Sequence, residues 1–223
     1  MIVNISFDFS CVIIGSVGVV ISVTKKFIES ALTKIKQQKK LTSLEEKKLR
    51  YGLEAFYNLA TKTIVLIILA IVFDLVIELL LLALVYSTLR LYGFGIHAKT
   101  SLQCWFTTIP IYMLGSLFIK YATITSNLIY IFWIISFLSF LLFAPADTPA
   151  RPLIRKNKRI RAKILSVLIL CIYFIIYTLN ISSMFNNVII YAICMELIVI
   201  NPLTYKLTKT PFHNYEIYEK NMV

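Results

Sequence analysis

One histidine and one cysteine, seven residues apart, are the side chains of this sequence best suited to covalent chemistry. His97 and Cys104 lie in the stretch RLYGFGIHAKTSLQCW, between two long apolar runs. A cysteine attacks as its thiolate, and a nearby imidazole can accept the thiol proton and later return it to a leaving amine. The pair therefore predicts cleavage of an amide through a thioester.

This spacing requires a bend in the chain. On one continuous helix, residues seven apart lie about 10.5 Å apart along the axis, which is too far for a hydrogen bond. Gly93 and Gly95 predict a flexible loop before the histidine. Thr100 or Ser101 predicts the cap of a helix that begins beneath the cysteine, where the positive helix end favours a thiolate.

A packing or interface role is the alternative for both residues. A metal site would need at least two further ligands. Cys11, Cys171 and Cys194 lie in apolar runs without CxxC spacing, so neither a disulfide framework nor a zinc site is predicted, and no cofactor is expected.

The composition is that of a membrane protein. Hydrophobic residues make up 59% of the 223 positions and charged residues only 15%. The apolar runs 64–73, 75–89 and 164–179 are too long and too apolar for the helices of a soluble core, and a membrane span needs about 20 apolar residues. We predict an all-α, polytopic transmembrane protein with about six membrane-embedded helices, some short or re-entrant, and an N-terminal amphipathic helix.

The positive charge is clustered rather than dispersed. The net charge is +12, and sixteen of the 23 Lys and Arg residues lie within 25–50 and 151–163, beside apolar segments. Short cytoplasmic loops of membrane proteins carry such an excess, and it attracts anionic lipid headgroups. The pattern therefore favours a membrane surface over nucleic acid as the partner.

The run 63–90 is long enough for one crossing or two. Two crossings, over 53–73 and 75–89, put both basic stretches on one side and leave Asp74 and Glu78 near an outer turn. One tilted span would instead make these residues paired intramembrane groups. Later spans are predicted near 105–119, 127–144, 164–180 and 188–205.

The N-terminal part has its own pattern. Residues 9–23 would either cross the membrane or lie in its interface. Residues 24–36 repeat apolar side chains at helical spacing, which predicts an amphipathic helix at the interface or packed on the protein itself. We predict one integral membrane domain over 1–223, with N-terminal segments 1–50, a membrane core 51–205 and a cytoplasmic tail 206–223.

The stretch LRLYGFGIHAKTSLQC resembles the signature of the accessory gene regulator protein B family, membrane cysteine endopeptidases that process quorum-sensing pro-peptides. RYGLE at 50–54 and APAD at 144–147 are also similar, and the resemblance covers residues 25 to 205. The family often has Gly-Gly before the residue that precedes the histidine, whereas this chain has Gly93-Phe94-Gly95. The residues that match the signature are Arg90, Gly93, Gly95, His97, Ala98 and Cys104.

The resemblance implies a catalytic pair and a substrate. Cys104 would attack the carbonyl before the acidic C-terminal tail of a pro-peptide, with His97 moving the proton. The acyl group would stay on the cysteine as a thioester until a Cys or Ser of the peptide closed a thiolactone or lactone ring. A site at the membrane boundary would help to keep water away.

Supporting roles each have an alternative. Asp147 would orient His97 or cap the basic loop, residues 151–163. Gln103 would donate to the oxyanion or be a surface amide. Arg90 and the basic loop would bind the acidic tail or only set the topology. The loop residues proposed for tail binding are Arg151, Arg155 and Arg159.

Two functions of other classes stay open. A peptide transporter or exporter would use Asp74, Glu78 and Glu196 as intramembrane polar groups, and a membrane scaffold would have no catalytic groups. The predicted partners are the pro-peptide and an anionic bilayer, with a homodimer as an option and no nucleic acid. The predicted location is the cell membrane, with the active site on the cytoplasmic side.

Overall fold

The computed structural model describes residues 27–37, 42–96, 98, 100–124, 128–149 and 151–220. The predictions for residues 9–23, for Cys11 and for the position of His97 fall outside these residues. The helices of the described part are α1 (27–37), α2 (Ser43–Val72), α3 (Val76–Gly93), α4 (Ser101–Tyr121), α5 (Ile129–Phe143), α6 (Lys156–Thr178), α7 (Ser183–Ile200), α8 (Pro202–Leu207) and α9 (Tyr215–Lys220).

The helices have the lengths and composition of membrane spans. Five of them, α2, α3, α4, α6 and α7, are long and apolar enough to cross a membrane. The apolar helix α5 has 15 residues, which is about 22 Å at 1.5 Å per residue and shorter than a full span. The predicted fold class, a polytopic all-α membrane protein, is confirmed.

The chain divides into two compact units, residues 1–64 and 65–223. In the first unit, α1 buries Ile28 and Leu32, and Glu29 pairs with Arg50 at 2.9 Å. Helix α1 therefore packs part of its apolar face on the protein itself, whereas Phe27 stays 46% exposed.

The long apolar run forms two helices. In the second unit α2 ends at Val72, the chain turns through Phe73 and Asp74, and α3 begins at Val76. Asp74 has a φ of 53°, a conformation that Asp tolerates better than most residues and that makes the turn without Gly or Pro. A hydrogen bond from Lys120 at 2.8 Å lowers the pKa of the Asp74 carboxyl. The prediction of a break is confirmed, and the single-helix alternative is wrong.

Helix α7 is the centre of the second unit. It packs against α3, α4, α5 and α6 and buries Val188, Ile189, Ala192 and Ile193 completely. A helix that is apolar on most of its faces needs neighbours on several sides. Because α7 contacts both α4 and the loop after α3, it sets the position of one relative to the other.

Two predicted boundaries are corrected. Helix α6 begins at Lys156, so the basic residues up to Lys163 form its first two turns rather than a loop. The span predicted to reach residue 205 ends at Ile200. Asn201 caps the short helix α8, whose first residue is Pro202, and a proline lacks the N–H that would continue the preceding helix.

Candidate active site

Cys104 lies in the first turn of α4. Thr100 is the N-cap of this helix, and its hydroxyl oxygen accepts the N–H of Gln103 at 3.2 Å, so the predicted cap is confirmed. The half-buried Cys104 thiol lies 3.7 Å from the Thr108 hydroxyl. The Cys104 N–H donates to the Thr100 carbonyl at 3.0 Å. The thiol therefore lies in the first turn of a helix, whose positive end stabilises negative charge. Gln103 is exposed in the same turn, and its oxyanion role stays a prediction.

Two polar side chains of α7 fix the helix that carries the cysteine. Tyr191 donates its hydroxyl to the Ile111 carbonyl at 2.9 Å. Asn187 donates to the carbonyls of Ile119 and Ala122 at 3.1 and 2.8 Å. The Asn187 bonds satisfy carbonyls that the end of α4 leaves unpaired, and the Tyr191 bond reaches a carbonyl in the middle of the helix. Together they fix the position of α4 along α7.

The loop before His97 is held by backbone hydrogen bonds. Gly95 donates its N–H to the Ala146 carbonyl at 2.7 Å, and Ala146 donates to the Gly93 carbonyl at 3.0 Å. Ile96 donates to the Val199 carbonyl, in the last turn of α7, at 3.1 Å. The chain thus leaves α3 and bends before α4, as the spacing of the His–Cys pair requires.

The Arg90 side chain holds the carbonyls of the same loop. Its guanidinium donates to the carbonyl oxygens of Phe94, Gly95 and Ile96. The same group lies 3.9 Å from the buried carboxylate of Glu196 on α7. A planar guanidinium with five donors suits such a set of acceptors. This geometry places Arg90 beneath the loop, and its predicted binding of an acidic tail stays a prediction.

The two glycines permit close packing. A Cβ at position 93 would clash with the Glu196 carboxylate, and one at position 95 would clash with Arg90 and lie 2.8 Å from the Val199 carbonyl. Gly95 also has a φ of +97°, which glycine adopts readily. The flexible loop expected from Gly93 and Gly95 is in fact a tightly packed one.

Phe94 stands where the family often has glycine, and its backbone is strained. Its φ of 62° and ψ of −122° are unfavourable for a residue with a Cβ. Its ring lies 5.1 Å from the Arg151 guanidinium carbon. A bulky residue is thus held in a glycine-like conformation next to the candidate site.

Phe94→Gly is expected to be more stable than Phe94→Ala by about 1–2 kcal/mol, because both lose the ring and only alanine keeps the strain. Thermal unfolding of the two purified variants in one detergent measures the difference. Equal melting temperatures would show that the loop backbone carries no strain at this position.

Asp147 anchors the C-terminal tail. Its carboxylate is 1% exposed and accepts the backbone N–H groups of Leu153, Asn214 and Tyr215 at 3.2, 2.8 and 3.0 Å. The bond to Leu153 matches the alternative role of capping the basic loop, and an orienting role toward His97 stays a prediction. The tail expected to be a polar extension is packed against the segment that pairs with the His97 loop.

Helix α8, which leads into the tail, has an anchor beside Asp147. Tyr205 is 1% exposed and donates its hydroxyl to the Ala146 carbonyl at 3.0 Å. Burial raises the pKa of the Tyr205 hydroxyl, so the group keeps its proton and remains a donor. Because Ala146 also accepts the Gly95 N–H, Tyr205 supports the carbonyl that holds the loop.

An open groove of about 700 Å³ lies beside the loop. Arg151 and Arg155, two of the predicted tail-binding residues, line it, but Arg159 does not. Arg159 donates to the carbonyls of Leu153 and Ile154 and stacks on Tyr215. The residues that line the groove are Leu91, Tyr92, Phe94, Arg151, Pro152, Leu153, Ile154, Arg155, Lys158, Arg161, Ala162 and Leu165.

Lys158 and Arg161 are groove residues that the sequence did not predict. They follow Arg155 at intervals of three, which places them on one side of a helix, whereas a loop was expected over this segment. The three carboxyls of the transport alternative lie apart: Asp74 and Glu78 lie at the start of α3, and Glu196 packs against its last residue.

The fold and this arrangement define a polytopic membrane protein with a candidate thiol site at the start of a helix. The family model of accessory gene regulator B matches residues 28–200. The chain is 33% identical over 174 residues to an AgrB-like protein of Listeria innocua, covering 77% of this chain and 84% of the relative. No solved structure matches.

In two further matches, the aligned region covers a larger share of the relative's chain. An AgrB-like protein of Clostridium acetobutylicum is 27% identical over 201 residues, 90% of this chain and 96% of that protein. Accessory gene regulator protein B of Staphylococcus intermedius is 29% identical over 180 residues, 79% and 93% of the two chains. The chain belongs to the accessory gene regulator B family. This membership supports involvement in accessory gene regulator quorum-sensing processing.

Proposed function

We propose that this protein is a membrane cysteine endopeptidase that removes the C-terminal tail of a quorum-sensing pro-peptide. The observation that carries the proposal is the placement of Cys104 in the first turn of α4. This turn follows the loop over 94–96, which backbone hydrogen bonds hold in place and which leads to His97. The helix start favours the charge of a thiolate. Family membership supplies the class of reaction.

The reaction proceeds in two acyl transfers. As the Cys104 sulfur attacks the carbonyl carbon before the tail, His97 accepts the thiol proton. The C–N bond then breaks, the tail nitrogen takes that proton, and the remaining peptide is a thioester on the sulfur. A Cys or Ser side chain of the peptide next attacks the thioester, which closes the ring and returns a proton to Cys104. Exchange between a thioester and a thiol needs no external energy source.

The basic groove suits the acidic tail that such a substrate carries. Arg151, Arg155, Lys158 and Arg161 surround it, and Phe94 at its edge is three residues from His97. Guanidinium groups bind carboxylates through paired, charge-assisted hydrogen bonds. A tail held there would place the bond that precedes it near the loop.

Reversal of Arg155 and Arg161 to Glu is expected to raise the KM for the pro-peptide by about tenfold, with a smaller loss of kcat, because binding of the tail is weakened about equally in the ground state and the transition state. Initial rates of tail release measure both constants. The same reversal at Lys47 and Lys48, exposed in α2, is the control for a change in overall charge. Equal KM values in the two double variants would leave the groove with a topological role alone.

We place the site on the cytoplasmic side of the cell membrane. The support is the high density of basic residues near it, at the start of α6 and in the segment before that helix, since such density is typical of cytoplasmic segments. A cysteine introduced at Lys158 should be shielded from an impermeant maleimide added to intact cells. Labelling from outside would contradict the orientation.

The proposal is tested with purified protein in lipid vesicles and a synthetic pro-peptide that has an amphipathic leader and an acidic C-terminal tail. Mass spectrometry is expected to detect the released tail and a peptide shortened by that tail, and Cys104→Ala should give neither product. Tail release by the Cys104→Ala variant would contradict the proposed function.

A further inference from the structure

We infer that Glu196 is a positioning residue for this site, acting through Arg90 on the loop that leads to His97. The inference rests on the proposed function and adds to it a residue ninety-nine positions away from the histidine in sequence. It concerns a carboxyl on α7 that nothing in the proposed reaction uses directly.

The surroundings of Glu196 point to one partner. The side chain is 0% exposed, and within the described residues neither carboxylate oxygen has a hydrogen-bond partner. The Arg90 guanidinium lies 3.9 Å from one oxygen, and the Gly93 backbone packs against the other. Burial opposes the charge of a carboxyl without hydrogen-bond donors, and a nearby positive charge favours it. Among the described residues, the Arg90 guanidinium is the group that favours the charged form of Glu196.

Arg90 transmits this attraction to the loop. Its guanidinium has the Glu196 carboxylate on one side and the carbonyls of Phe94, Gly95 and Ile96 on the other. The Arg90 side chain is 19% exposed, so it has a route toward solvent when its counter-charge is removed. Loss of the carboxylate would then release three consecutive carbonyls just before His97.

The backbone bonds alone do not replace this support. The N–H groups of Gly95 and Ile96 have backbone acceptors, but those bonds do not fix how the following peptide is rotated. The Ile96 carbonyl belongs to the peptide that joins Ile96 to His97, so the Arg90 hydrogen bond to it fixes that rotation. Gly93 and Gly95 leave the space for both charged groups. Glu196 thereby sets the direction in which the chain enters His97.

The test measures the reactivity of Cys104 without any peptide. In a background with Cys11, Cys171 and Cys194 replaced by Ala, the iodoacetamide rate at pH 7 reports how well His97 promotes the thiolate. Glu196→Gln is expected to lower this rate about tenfold, toward that of His97→Ala. At pH 10 the rates should converge, because hydroxide then ionises the thiol in every variant.

Matched variants separate positioning from folding. Glu78→Gln removes a buried carboxyl at the other end of α3 and should stay within twofold of the parent. Arg90→Lys should lose as much rate as Glu196→Gln, and the double variant should lose no more than either, because residues that act as a unit are not additive. If the fold-loss of the iodoacetamide rate in the double variant equals the product of the two single losses, the inference is overturned.

Four other results are decisive. A parent-like rate in Glu196→Gln at pH 7, or a loss that persists at pH 10, overturns the positioning role. A parent-like rate in His97→Ala overturns the Cys–His pair itself, and the inference with it. If Glu196→Gln does not accumulate in the membrane, Glu196→Asp, which keeps the charge, should retain more of the rate than Arg90→Lys, and an equal or larger loss overturns the inference.

Discussion

Cys104→Ser is expected to insert and fold like the parent protein but to release the pro-peptide tail at less than about one ten-thousandth of the parent rate. The substitution changes little volume at a half-buried position. A hydroxyl has a far higher pKa than a thiol and is a poor nucleophile in a site built for a thiolate. Tail release at equal protein concentration, measured by mass spectrometry, gives the ratio.

Companion variants localise the effect. His97→Ala should lose tail release as severely, whereas Cys171→Ala and Cys194→Ala should retain it because those thiols lie in the apolar helices α6 and α7. When the substrate lacks its ring-forming nucleophile, the parent protein should accumulate as an acyl-enzyme. Its mass should increase by that of the peptide without the tail. An unmodified mass under these conditions would count against the thioester route.

Asp147→Asn is expected to destabilise the protein by about 3 kcal/mol, since an amide NH₂ then faces backbone N–H groups that a buried carboxylate oxygen accepted. The melting temperature should fall by roughly 10 °C. Because Ala146 binds the loop that leads to His97, tail release should decline as well. Thermal unfolding in detergent measures the stability change.

Asp74→Asn is the matched control. Its carboxylate is 99% exposed and pairs with Lys120 at the turn between α2 and α3, so the substitution should shift the melting temperature little. Exposed ion pairs contribute weakly to stability. Equal shifts in the two variants would mean that Asp147 does not anchor the tail.

Features that depend on nearby residues in the chain could be predicted from the sequence alone. A run of about 20 apolar residues predicts a membrane helix. The positions of the charged residues alone indicated a turn near Asp74. Thr100 caps a helix through a hydroxyl three residues from its donor, so the helix start beneath Cys104 could be predicted from neighbouring residues.

Tertiary structure decided which charged groups meet. The sequence does not distinguish Arg159, which binds backbone and Tyr215, from Arg155, which lines the groove, because that choice depends on where the segment before α6 packs. Nor does it pair Glu196 with Arg90, which are more than a hundred residues apart. In a membrane protein, the apolar pattern predicts the length of a helix. It does not predict which neighbour each polar side chain contacts. Only the packing of α7 against α3 brings this carboxylate under the loop that leads to His97.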